Sequence, residues 1–197
     1  MKVTVVTSAT GVMVATSDVK VHVRMTASDD DAIIGDYVFA AQEQAEQVTS
    51  RKMMPQTWRL FIDDWPRTDT IELPFAPLRS VPSTGIVYKN STGGSTTFSS
   101  TAWSVDVASE PGRVVLEYND TWPSVTLHNN NPISIEFECG YAGTSAIPQR
   151  FKQAVHMLVG HFYENRESVI VQSFGQISVA EIPQGFFSLL SDKMHRF

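Results

Sequence analysis

The sequence is poor in cysteine. Its one cysteine, Cys139, excludes an internal disulfide and a zinc site built mainly from thiolates. Long apolar runs are also lacking. With no stretch of roughly 18 apolar residues, no membrane-crossing helix is expected. Residues 1–16, MKVTVVTSATGVMVAT, hold one lysine and no leucine-rich run, so no signal peptide is expected either. There is no G-x-S-x-G elbow, no P-loop and no G-x-G-x-x-G, which removes support for serine-hydrolase chemistry and for nucleotide binding. No basic patch is present, so a grip on nucleic-acid phosphates is not expected. Basic residues are absent altogether between Met25 and Ser50. That segment carries Asp29, Asp30, Asp31, Asp36, Glu43 and Glu46, which by themselves equal the net charge of −6. An acidic helix of this kind is most simply a solvated face; it also suits a surface that repels nucleic acid or docks a basic partner.

What is present is enough for a folded core. Hydrophobic residues make up 42% and charged residues 18%, ordinary values for a globular chain. The length suits one domain, or one domain with an inserted subdomain. The strongest helical signal is Pro148–Glu167, PQRFKQAVHMLVGHFYENRE. Its apolar residues Phe151, Ala154, Val155, Leu158, Val159, Phe162 and Tyr163 follow the i, i+3, i+4, i+7 series of one continuous face. Such a stripe needs a partner, and residues 28–52 supply it. Ser28 with Asp31 resembles a capping box, the aspartates suit the positive helix end, and Pro55 stops any continuation. Ile33, Tyr37, Ala40, Ala41, Gln44, Ala45 and Val48 are the expected inward face.

Between these helices the pattern changes period. TWRLFID (57–63), IELP (71–74), GIVYK (85–89), TTFSS (96–100), RVVLEY (113–118) and ISIEFECGY (133–141) are short strand signals separated by proline, glycine and Asx turns. They predict a small antiparallel sheet or sandwich inserted in a helical frame, an α+β class. Residues 1–16 are expected to be an extended, mobile arm, and 168–182 a loop or hairpin. SDVKVHVR (17–24) is open: Ser17-Asp18 suits a helix start, while Val19, Val21 and Val23 alternate as in a strand, which the periodicity slightly favours. Phe186, Phe187, Leu189 and Leu190 mark a short closing helix near 184–194.

Several clusters could carry chemistry, each beside a plainer reading. His156, His161 and Glu164 could begin a metal site for a metal-dependent enzyme, but helix-surface or interface histidines fit as well. Asp63, Asp64, Asp69 and Glu72 lack EF-hand spacing and suit solvated turns. Trp58, Trp65, Trp103 and Trp122 could form a platform for a carbohydrate or host receptor, although tryptophans in a β region mostly serve packing. Cys139, in an alternating strand, is expected to be buried and inert. Asn165, Arg166 and Glu167 close the main helix; Arg166 is also suited to a contact between subunits.

The order of these pieces resembles the head-tail connector (adaptor, or head completion) proteins of long-tailed bacteriophages and gene transfer agents. The resemblance rests on SDVKVHVRM, DDDAIIGDYVFAAQEQAEQVTSRKMMPQTWRL, LPFAPLRSV, EPGRVVLEYNDTWP, ISIEFECGY, IPQRFKQAVHMLVGHFYENRES and IPQGFFSLLSDKMHRF. It implies a short helix at 17–24, and a small helical bundle formed by 17–55 and 145–197 with a β subdomain at 56–144. It also implies a structural virion protein without cofactor or catalytic residues, made in the host cytoplasm and placed in the neck. There it would form a ring of about a dozen copies below the portal, a heterologous contact that closes. The ring would extend the DNA channel without sequence-specific binding, touch no membrane, and dock the next neck, head-closure or tail protein. On that reading Asp29, Asp30, Asp31, Asp36, Glu43 and Arg166 are candidate interface or lumen residues.

Overall fold

A computed structural model describes residues 2–165, 169–171, 177–179 and 182–191. It is an α+β protein whose chain separates into two compact units, one formed by residues 1–10 and 54–142, the other by the described parts of 11–53 and 143–196.

The first unit is built on antiparallel sheets. Strand β1 (Lys2–Thr7) pairs with β2 (Gln56–Ile62), and β2 with β9 (Ile133–Cys139), in the register Gln56 opposite Cys139 through Ile62 opposite Ile133. Strand β5 (Ile86–Lys89) follows, then β6 (Ser95–Thr97), giving the order β1-β2-β9-β5-β6, with β4 (Leu78–Ser80) also on β9. A second sheet has the order β3 (Thr70–Glu72), β8 (Arg113–Leu116), β7 (Trp103–Asp106).

The period of two in β9 explains its central place. Ile133, Ile135, Phe137 and Cys139 are buried, while Ser134, Glu136 and Glu138 alternate on the other face. On that polar face Glu136 meets Arg59 of β2 at 2.6 Å and Glu138 meets Arg79 of β4 at 2.7 Å. One face is therefore apolar core, joined by Leu60, Leu73, Ile86 and Val114, and the other is laced by ion pairs. Just past β9, Gly140 has φ +105°, and a Cβ there would strike the Met54 carbonyl, so only glycine fits this close approach.

The short strands β4 and β7 lie outside the strand signals read from the sequence. The N-terminal expectation needs a larger correction. Residues 2–7 are extended, as expected, but they are a sheet strand rather than a mobile arm. Met13 and Val14 are buried, and the Met13 amide donates to Gln42 Oε1 at 2.8 Å.

The second unit centres on a helix pair, α2 (Asp31–Thr49) and α3 (Gln149–Glu164), with α3 also packing on α4 (Gln184–Leu190). Pro148 is the N-cap of α3, where its missing N–H costs nothing. Phe151, Ala154, Val155, Leu158 and Val159 are fully buried, as their spacing predicts. Helix α1 (Thr16–His22) settles the open segment in favour of a helix. Its valine alternation misleads because the side chains do not share a burial class: Val19 is buried, whereas Val21 is 80% exposed. Among the described residues two of the four α-helices have only seven residues, so the small bundle is a long helix pair with two short flanking helices. Strands β10 (Val169–Val171) and β11 (Ile177–Val179) form an antiparallel two-stranded sheet, with Val169 opposite Val179.

Helix α2 differs from expectation at its start and in its rotation. It begins at Asp31, with Asp30 at the N-cap and no side-chain cap; Ser28 contributes only its carbonyl, to the Asp31 amide at 3.2 Å. The buried face is Ile34, Val38, Ala41, Gln42, Ala45, Glu46 and Thr49. Ala40, expected inside, is exposed.

Candidate functional site

The acidic stretch does not act as one cluster. Asp31 Oδ1 pairs with Lys20 Nζ at 2.6 Å, tying α1 to the start of α2. Asp30 Oδ2 accepts the Tyr163 hydroxyl at 3.0 Å, tying the same point to the end of α3. These two aspartates position helices. Asp29, Asp36 and Glu43 are exposed, and among the described residues none of the three forms an ion pair. Along α2, Ala32, Asp36, Phe39, Ala40, Glu43 and Gln47 line one exposed stripe, with Phe39 53% exposed between Asp36 and Glu43. Arg166 lies outside the described residues.

Glu46 departs from the expectation of a solvated acid. It is 8% exposed; Oε1 accepts the Met53 amide at 2.9 Å and Oε2 meets Lys52 Nζ at 3.0 Å. Gln42 and Thr49 are buried beside it, the Thr49 hydroxyl donating to the Ala45 carbonyl at 2.7 Å. Arg51 is 1% exposed. Sequence reasoning passes over this polar interior because polar letters on a helix signal a wet face, and nothing in the spacing marks the exception.

Among the described residues the histidines do not assemble a metal centre. His156 stands edge-on to His22 at 5.3 Å between ring centroids. Burial, then the nearby His22, lowers the pKa of His156, against a smaller pull upward from Asp18, which favours the neutral imidazole. His161 turns instead to the helix end, where the Asn165 amide donates to the His161 carbonyl at 3.0 Å. Among the described residues no three of His, Cys, Asp and Glu converge.

Trp58, Trp65 and Trp122 pack against other rings, and Trp103 is buried in the core. Trp65 and Trp122 stack at 5.0 Å with planes 9° apart, flanked by Tyr88 and Phe98. Trp122 Nε1 donates to the Thr68 carbonyl at 2.8 Å. Trp58 packs on Phe75 at 4.7 Å and Trp103 is 6% exposed. Trp65 and Trp122 thus each turn one face to the other, and both are half-buried. Cys139 is fully buried in β9, as its alternating strand predicts. Asp63 is a turn acid whose Oδ1 accepts the Asn131 amide at 3.1 Å.

Among the described residues the candidate site is thus an exposed acidic stripe on α2 beside a set of buried polar contacts. Residues 124–193 match the family model described as phage gp6-like head-tail connector protein. This bears out the resemblance drawn from the sequence. No curated protein matches the chain. Among solved structures, a chain from the neck of an empty gene transfer agent particle, computed with C6 symmetry, superposes with a TM-score of 0.78 at 22% identity, covering 100% of this chain and 97% of that one. A chain of the native gene transfer agent virion gives a TM-score of 0.79, and one from the native neck computed with C12 symmetry gives 0.76, both at 22% identity and the same coverage.

Proposed function

We propose that this protein is a structural component of a phage-like neck, a head-tail connector that assembles with copies of itself into a ring below the portal. The observation that carries the reading is the end-to-end likeness in fold to a chain of the gene transfer agent neck, 100% of one chain against 97% of the other. The family match over residues 124–193 supports it independently, from sequence. A ring of about a dozen copies continues the channel for DNA and presents its far rim to the next neck, head-closure or tail protein, by a heterologous contact that closes on itself.

The charge suits this role. A net −6 with exposed Asp29, Asp36 and Glu43 disfavours a firm grip on DNA phosphates. The work of such a subunit is mechanical: hold a shape, meet its neighbours, and let the genome pass. Electron microscopy and sedimentation velocity of the purified chain, alone and with its portal protein, test the proposal. Closed rings are the expected outcome. A monomer at every concentration, with or without portal, would overturn it.

A further inference from the structure

The main path of the six-stranded sheet, β1-β2-β9-β5-β6, ends in two edge strands, β1 and β6, with β4 off this path on β9. β1 pairs only with β2, and β6 only with β5, among the described residues. An open edge presents a row of unpaired N–H and C=O groups, and proteins that stay monomeric guard it with charge, proline, bulges or a cover. β1, KVTVVT, has one charge, at Lys2, and no proline, and it leaves Val5 48% and Val6 43% exposed. β6, Ser95–Thr97, has neither charge nor proline and is exposed throughout. One guard is present: the β1–β2 register shifts between Val5 and Thr7. This irregularity confines the straight part of the β1 edge to Lys2–Val5, a stretch close in length to β6.

We infer that these edges are the two halves of one contact, β6 of one copy adding to β1 of the next, so that the sheet runs on from subunit to subunit. The inference rests on the ring reading above and specifies its interface. Strand direction decides between partners. Every pairing from β1 through β2, β9 and β5 to β6 is antiparallel, and the four reversals leave β1 and β6 running the same way. Neighbours in a ring of a dozen are related by a rotation of about 30°, which nearly preserves direction. β6 therefore meets the next β1 in parallel. Pairing β1 with another β1 across a two-fold axis would be antiparallel and would produce a dimer, incompatible with a ring whose subunits all point one way. Backbone hydrogen bonds provide the attraction. The hydroxyl side chains on the two edges, Thr4 on one and Ser95, Thr96 and Thr97 on the other, supply polar cross-strand contacts.

A cross-linking experiment tests this. Two full-length variants are made, Thr4→Cys and Thr96→Cys; the native Cys139 is fully buried and does not compete. They are treated with a short thiol-specific bifunctional reagent, separately and mixed, and a chain carrying both substitutions is treated in parallel. The expected result is a covalent dimer from the mixture, none from either variant alone, and a ladder up to ring size from the doubly substituted chain. Cross-linking of Thr4→Cys alone would show β1 on β1 and overturn the inference. Absence of cross-links while the wild type forms rings would overturn the edge contact and leave the connector reading standing. Absence of both cross-links and rings would remove both. Hydrogen exchange on the unmodified chain gives a second measurement: amides of Ser95–Thr97 should slow at least about tenfold on assembly, as pairing of an open edge requires. Unchanged rates in assembled rings would overturn the inference.

Discussion

Individual residues carry tasks that their letters do not advertise. Asp106 closes the loop after β7: its carboxylate accepts the Ser109 hydroxyl at 2.6 Å, the Ser109 and Ala108 amides, and Arg113 Nε at 3.0 Å. These bonds, the Ser109 hydroxyl foremost, lower its pKa from 3.8 to about 2. A depressed carboxylate stabilises the fold above its unfolded pKa, and the contribution disappears as pH falls from about 4 through about 2. Asp106→Asn should therefore flatten the acid limb of the stability curve in that window, as followed by acid unfolding. Glu46 is the second case. Glu46→Ala removes the acceptor for a buried amide and the partner of Lys52, and should cost about 2–3 kcal/mol in chemical denaturation. Glu46→Gln, which keeps an amide acceptor, should cost about half as much.

At the scale of elements, legibility depends on how one-sided each pattern is. α3 reads directly from sequence because its apolar stripe has no rival: Phe151, Ala154, Val155, Leu158 and Val159 are all inside. Leu158→Ala should open a cavity between α2, α3 and α4 and lower stability by about 3 kcal/mol, measured by urea denaturation. α2 presents two candidate stripes one residue apart: Ile33, Tyr37, Ala40, Gln44 and Val48 against Ile34, Val38, Ala41, Ala45 and Thr49. Periodicity does not choose between them, and the burial of Gln42 and Glu46 makes the true inner face look more polar than the rival stripe. Tertiary packing made the choice. In the same way α1 is a helix despite its alternating valines, because a half-exposed segment of seven residues follows its neighbours rather than its own preference. The candidate acids divided along this line too. Asp30 and Asp31 act as helix ties, a role set by Tyr163 and Lys20, residues that sequence distance hides.

For the whole molecule, the class and the alternation of long helix, β block and long helix were readable, because each rests on changes of period that persist over many residues. The N-terminus was not. β1 belongs to a sheet whose other strands begin at Gln56, and such a pairing leaves no local trace. The chain consequently visits the β unit, the helical unit, the β unit and the helical unit again. The proposed function was legible only through family resemblance, since a contact surface needs no particular chemical motif.

Strands β2 and β9 also give the chain an evolutionary joint. The segment from 54 to 142 enters through Gln56 and leaves through Cys139, which lie opposite each other in register, with Gly140 pressed against Met54. An insert whose two ends meet behaves like a cassette. Its outlying hairpins can lengthen or shorten while the splice points, and the pairing of β1 on β2, stay where they are. A relative would then keep Gly140 and the residues around the junction while varying the hairpins that lie beyond them.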